Sequence, residues 1–192
     1  MVTIAWDVDD VLNDLTGAWL RDEWRPAHPQ CRTAYSELSR NPPHSIIGAA
    51  LEEYLASLDR FRRSRYRELE PLPETLAWFE RHGGRFRHMA LTAAPLHCAP
   101  ESAEWVIRHF GRWIRSFNFV PSPRHGESIP PYDANKRDFL RWFGNASVLV
   151  DDNVENIAAA RSAGMRAVLM PRPWNSGPGS IGETFEQLET LQ

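Results

Sequence analysis

Asp7 and Asp9 stand two residues apart at the end of the apolar run Ile4-Ala5-Trp6, and Asp10 and Asp14 follow closely. A strand sends alternate side chains to the same side. If residues 2–6 form a buried strand, Asp7 and Asp9 leave its C-terminal end and converge. Two converging carboxylates repel unless a proton or a cation lies between them. Such a pair suits a hard divalent ion, most simply Mg²⁺, held by few protein oxygens and several waters. The stretch also reads structurally, as a strand running into an acidic helix start, because Asp is a favoured N-cap. Alone it does not decide between the two. Polar residues recur at two other places where an apolar run stops: Thr92 after residues 86–91, and Asp151-Asp152-Asn153 after Val148-Leu149-Val150.

The elements that must position these groups follow from periodicity. Strands are predicted over 2–6, 86–91, 114–120, 147–150 and 166–170, separated by helices over 73–82, 100–111, 134–143 and 154–163, with a last helix near 182–190. Pro73 suits the first helical position, and Gly164 suits a left-handed cap. Strands alternating with helices of about ten residues imply an α/β fold. The expected architecture is a Rossmann-like parallel sheet of about five strands with helices on both faces. In such sheets ligands bind beyond the C-terminal strand ends, where the strand order reverses. Asp7 and Asp9, Thr92, and Asp151 and Asp152 all fall at such ends.

The connection after the first strand is far longer than the roughly 2–6 residues usual for a βα loop. Leu12, Leu15, Trp19 and Leu20 recur at helical spacing, giving a helix over 13–24 that Pro26 and Pro29 are expected to end. A second helix is expected from Ile46 to beyond Tyr54 and Leu58, and a short third one over 59–67. The segment therefore reads as a small helical cap, 14–71, inserted into a core made of 1–13 and 72–192.

Composition narrows the classes. The 192 residues include 42% apolar and 24% charged side chains, ordinary for a globular protein that folds around one core. With 22 basic and 25 acidic residues the net charge is −3, so nothing points to bulk nucleic-acid binding. No apolar run approaches the roughly 20 residues needed to span a membrane. Cys31 and Cys98 lie far apart without metal-site spacing and read as reduced thiols in a cytoplasmic protein.

Asp7-x-Asp9-x-Val11, an apolar strand ending in Thr92, Lys136, and Val150-Asp151-Asp152 with Asn156 resemble, in order, the four motifs of the haloacid dehalogenase-like superfamily. The resemblance covers nearly the whole chain. Asp9-Asp10-Val11-Leu12 with Asp14, the Asp151-Asp152-Asn153 block, and Pro173-Trp174-Asn175 resemble more narrowly the 5′(3′)-deoxyribonucleotidase group and its bacterial relatives.

The superfamily resemblance implies a Mg²⁺-dependent phosphomonoesterase acting through an aspartyl-phosphate. Its substrate would be a small soluble phosphorylated metabolite, with a (deoxy)nucleoside monophosphate as the narrower expectation. Asp7 is then the nucleophile and Asp9 the acid–base residue. Asp7, the Asp9 carbonyl, Asp151 and Asp152 would hold the metal. Thr92, the backbone at Ala93, and Lys136 would hold the phosphate. An acid at Asp9 favours ester cleavage over dehalogenation, since a halide leaves without a proton. In the deoxyribonucleotidases an aromatic residue stands eight positions after the nucleophile; here that position is Leu15, and Trp19 lies one turn on.

Each residue also has a structural reading. Asp151 and Asp152 suit a helix cap, Lys136 a solvated helix start with Arg124 and Arg137 as rivals for its charge, and Asn156 support of the Asp151 loop. His125 suits a surface loop and Trp174 packing under the final loop. Trp19, Trp24, Tyr54 and Tyr66 suit the cap's own core, and Arg60, Arg62, Arg63, Arg65 and Arg67 a solvated helix face. Two functional alternatives remain: a non-catalytic binding or regulatory protein of the same fold, and a phosphotransferase or phosphomutase. The sequence leaves monomer and homodimer equally open.

Overall fold

The computed structural model describes every residue except Pro131, Ser176, Pro178 and Gln192. Strands β1 (Thr3–Trp6), β2 (Arg87–Ala94), β3 (Ile114–Pro121), β4 (Val148–Asp151) and β5 (Arg166–Leu169) form one sheet in the order β3-β2-β1-β4-β5. Every pairing is parallel. From β1 the chain runs outward through β2 and β3, then crosses back to β4 and β5 on the other side. The order therefore reverses at β1, and the crevice beyond its C-terminal end is where such sheets take ligands.

Burial on both faces explains the nearly continuous apolar runs in β1 and β4. Ile4 and Trp6 point to one core and Ala5 to the other. On the first side, α4 (Pro73–His82), α5 (Ala99–Phe110) and α8 (Ile181–Glu189) contribute Trp78 and Phe79, Trp105 and Phe110, and Phe185 and Leu188. On the second, α6 (Lys136–Phe143) and α7 (Val154–Ser162) contribute Phe139 and Leu140, and Ile157 and Ala160. The larger core holds one polar relay. The Trp6 indole N–H donates to His88 Nδ1 at 3.0 Å, so the His88 proton sits on Nε2, which donates to the Gly83 carbonyl at 2.9 Å. Burial pushes the His88 pKa down to about 4.

The segment after β1 is helical. α1 (Leu15–Trp19) runs through a π-turn, Leu20–Trp24, into the short α2 (Arg25–Ala27), and α3 (Leu51–Arg65) follows. The chain leaves and returns at one place: Asn13 pairs antiparallel with Pro71, and the Leu72 N–H donates to the Leu12 carbonyl at 2.9 Å. Trp19, Trp24, Tyr54, Leu58 and Phe61 pack inside it, continuous with the larger core.

Two local expectations fail here. Pro26 does not end the first helix, which continues to Ala27. Proline removes a donor, and the Asp22 carbonyl one turn back instead faces the Arg65 guanidinium at 3.5 Å. The expected second and third helices are mostly one. α3 begins only at Leu51, continues through Arg65, and is followed by a 3₁₀ turn at Tyr66–Glu68.

Candidate active site

Asp7 sits just past β1, its N–H donating to the Val150 carbonyl of β4 at 2.9 Å, so the sheet's own pairing fixes where it leaves the strand. Its Oδ1 accepts the Val8 N–H at 2.7 Å. The turn behind it is braced. Asp10 takes a left-handed conformation (φ 61°), which Asp tolerates better than most residues. Its carboxylate accepts the Thr16 N–H and hydroxyl at 2.9 and 2.6 Å, and its carbonyl accepts Arg172 Nε at 2.6 Å. Asp10 is thus a structural acid.

At the end of β4, Asp151 is fully buried and Asp152 nearly so. Neither caps α7. Asn153 does, its Oδ1 accepting the Glu155 and Asn156 N–H groups at 2.7 and 3.3 Å. Asn156 Nδ2 reaches both Asp151 oxygens at 3.2 and 3.1 Å, the supporting contact expected of it. Asp152 Oδ2 accepts the Trp174 indole N–H at 2.7 Å, and its carbonyl accepts Asn175 Nδ2 at 2.6 Å. Trp174 therefore braces a site residue as well as packing against the larger core.

Carboxylate oxygens of Asp7, Asp151 and Asp152 come within 4.8 Å of one another. Lys136 Nζ lies between two of these acids, 2.7 Å from Asp7 Oδ2 and 2.7 Å from Asp151 Oδ2. Lys136 is the first residue of α6, capped by Asn135, and is buried rather than solvated. A cation at a helix N-terminus opposes the helix dipole, so its place there is set by the carboxylates. Arg137 pairs with its neighbour Asp138, and Arg124 with Asp59, which removes both rivals for this charge.

The electrostatics are unbalanced: three carboxylates share one ammonium. Burial pushes Asp7 up to about 7, with Lys136 opposing and Asp151 and Asp9 adding to the rise. Burial, Asp151 and Asp7 raise Asp152 well above the ordinary carboxyl range. Burial works against the charge on Lys136, but Asp151 and Asp7 outweigh it and raise its pKa. An all-oxygen donor set with surplus negative charge fits a hard divalent cation.

Asp9 is not part of this trio. Its carboxylate turns to the helical segment, where Arg62 Nη2 donates to Oδ2 at 2.8 Å and the Tyr66 hydroxyl donates to Oδ1. Arg62 was expected on a solvated face, yet it is buried, as is Tyr66. Of the other arginines of that run, Arg60, Arg63 and Arg67 are exposed and Arg65 is half-buried. Sequence reasoning missed Arg62 because five arginines in eight residues look alike. The available signal was phase: Tyr54, Leu58 and Phe61 mark the inward face of α3, and Arg62 is one turn past Leu58.

Thr92 and Ala93 line the same cavity. They lie within β2, which runs to Ala94 rather than stopping at Leu91, because β3 pairs with it as far as Pro121. The cavity has a volume of about 140 Å³ and is also lined by Asp7, Asp9, Lys136, Asp152, Arg62 and Tyr54. Leu15 lines it as well. Trp19 does not: it is wholly buried, edge-on to Tyr54 with ring centroids 5.1 Å apart, its indole donating to Ser57 Oγ at 3.1 Å. His125 lies away from it in the loop after β3, beside Arg124 and His97.

No protein-family model matches the sequence, and no curated protein matches it significantly. Solved structures do. A haloacid dehalogenase-like hydrolase from Streptococcus pneumoniae superposes with a TM-score of 0.62 at 13% identity, covering 100% of this chain and 99% of that one. A "predicted phosphatase" from Clostridium acetobutylicum superposes with a TM-score of 0.63 at 12% identity, covering 99% of each chain. Protein tyrosine kinase A of Mycobacterium tuberculosis superposes with a TM-score of 0.62 at 15% identity, covering 93% of this chain and 86% of that one. At these identities the likeness shows a shared fold and nothing more. Proteins sharing it carry names for different reactions, so function must be argued from the site.

Proposed function

We propose that the chain is a Mg²⁺-dependent phosphomonoesterase that cleaves a small soluble phosphate ester through an aspartyl-phosphate, with 14–71 acting as a cap over the core of 1–13 and 72–192. One observation carries the reading: the buried trio Asp7, Asp151 and Asp152 shares a single lysine at the point where the strand order reverses, beside a second acid, Asp9. Buried like charges cost stability, and a fold has no structural use for this many.

In this reading Asp7 attacks phosphorus, the bond from phosphorus to the ester oxygen breaks, and the departing alcohol takes a proton from Asp9. Asp9 then withdraws a proton from water, whose oxygen attacks phosphorus and releases Asp7. Lys136 holds Asp7 in place and offsets charge on the transferring group. The Thr92 hydroxyl and the Ala93 backbone hold phosphate oxygens. Asp7, Asp151 and Asp152, with the Asp9 carbonyl, would hold Mg²⁺, which when bound neutralises phosphate charge. Both Asp9 oxygens are engaged by Arg62 and Tyr66, so proton transfer requires one of these contacts to give way.

A cavity of about 140 Å³ is smaller than the roughly 300–1,000 Å³ of pockets that enclose drug-sized ligands, and Trp19 offers no face to a base. Both favour a compact ester over a nucleotide, which the cap must move further to admit. The deciding experiment is hydrolysis of an aryl phosphate and a panel of phosphate esters, deoxynucleoside monophosphates included, with and without Mg²⁺. Turnover that needs the metal and disappears in Asp7→Asn is expected. A metal-loaded protein inert across the panel, or one unaffected by Asp7→Asn, defeats the reading. Transfer to added alcohols in place of water would instead mark a phosphotransferase.

A further inference from the structure

Lys136 and Arg62 are the two cations among the described residues lining the cavity. Lys136 is committed to Asp7 and Asp151. Arg62, which the cap brings in, is held less completely. Its Nη2 donates to Asp9 at 2.8 Å, its Nη1 reaches Asp59 only at 3.4 Å, and its buried Nε has no partner among the described residues. A buried donor left unmatched is costly. Neither carboxylate depends on Arg62 alone. Asp59 accepts Arg124 Nε and Nη2 at 2.7 and 2.8 Å, and Asp9 also accepts the Tyr66 hydroxyl. Arg62 can therefore change partners without stranding either acid.

We propose that Arg62 is a specificity-determining residue that recognises a carboxylate carried by the phosphate ester and, in doing so, releases Asp9 Oδ2. This rests on the phosphatase reading above. A guanidinium offers its Nε–Nη2 edge as a planar fork matched to a carboxylate. On Arg62 that edge is half empty and half spent on Asp9. The room remaining beside a phosphate in this cavity suits a substituent of a few atoms. The acid group would thus be read at the same moment as Asp9 becomes free for proton transfer, so it raises kcat as well as lowering KM.

Two measurements test this. In the first, the Mg²⁺-loaded protein is titrated calorimetrically with phosphonoacetate and with methylphosphonate, which lacks the carboxylate. The wild type is expected to bind phosphonoacetate at least about tenfold tighter, Arg62→Gln to bind the two within about threefold, and Arg62→Lys to fall between because it keeps charge without the fork. Equal binding by the wild type, or a preference that survives in Arg62→Gln, overturns the proposal. The wild-type comparison needs no variant to fold. In the second, kcat and KM are compared for 2-phospholactate and isopropyl phosphate, which differ by a carboxylate in place of a methyl group. A higher kcat for phospholactate is expected, and equal kcat values overturn the release of Asp9. If the binding preference holds while the metal-loaded protein hydrolyses neither these esters nor any of the panel above, recognition by Arg62 stands and the phosphatase reading falls.

Discussion

Lys136 shows how one side chain can organise a site that its own helix disfavours. It lies at the N-terminal end of α6, where a positive charge meets the positive end of the helix dipole. It is held there by two carboxylates 2.7 Å away. Removing one partner from a buried charge cluster costs about 3–5 kcal/mol, so Lys136→Met should lower stability by that order in urea unfolding. If it also stabilises the transferring phosphoryl group, kcat/KM should fall by roughly 10²–10³, the usual loss when one transition-state donor is deleted. A variant that is destabilised but turns over normally would leave Lys136 a purely structural counter-ion. The acids around it predict a metal effect of the opposite sign. A cation that binds only the folded state at a hundred times its Kd adds about 2.7 kcal/mol, or roughly 5–10 °C in Tm for a chain of this size. Mg²⁺ should therefore raise Tm in differential scanning calorimetry, and Asp152→Asn should remove most of the rise. A Tm indifferent to Mg²⁺ in the wild type would count against the site.

Among the elements, β1 and β2 carry a second buried polar group whose consequence is testable by pH. His88 is neutral between Trp6 and Gly83, and burial lowers its pKa from 6.5 to about 4. Between those values the unfolded chain binds a proton that the folded chain refuses, so stability rises with pH across the window. His88 thus contributes fully above pH 6.5 and progressively loses its contribution as pH falls towards 4, by roughly 3 kcal/mol in all. Guanidinium unfolding at pH 7 and pH 4.5 should show this loss, and His88→Gln, which can accept from Trp6 and donate to Gly83, should flatten it. An unchanged slope in the variant would place the pH dependence elsewhere. The elements themselves were largely legible in the chain: alternating apolar runs and helical periodicity located the five strands to within a few residues. Asp7 and Asp151 were legible as strand-end residues because those ends are marked by abrupt polarity, whereas Thr92 lies inside β2, two residues short of its end at Ala94. Arg62 and Tyr66 were not, since they reach Asp9 across more than fifty residues of sequence, and no local pattern records a contact made by tertiary packing. The passage of the first helix through Pro26 was hidden for the same reason.

At the scale of the molecule, the helical segment is fastened to the sheet by an ion-pair cluster as well as by apolar contact. Asp59 of α3 accepts both Nε and Nη2 of Arg124, in the loop after β3, at 2.7 and 2.8 Å, and His97, after β2, lies 3.4 Å away. Burial opposes the charge on Asp59, yet Arg124, Arg62 and His97 outweigh it and hold its carboxyl below the ordinary value. The chain leaves and returns at Asn13–Pro71 and Leu12–Leu72. The Asp59–Arg124 fork ties α3, which carries Arg62 and leads into Tyr66, to the loop after β3. Hydrogen bonds between charged groups are worth about 1.5–3 kcal/mol, a factor of roughly ten to a hundred in a local opening equilibrium. Arg124→Ala should therefore speed amide hydrogen exchange in α3 by about that factor while leaving β1 and β4 at wild-type protection, because they open only with the whole domain. Exchange that accelerates equally in α3 and the central strands would mean that Arg124 supports global stability instead. Exchange unchanged in α3 would mean that the apolar contacts of Tyr54, Leu58 and Phe61 hold the segment without it.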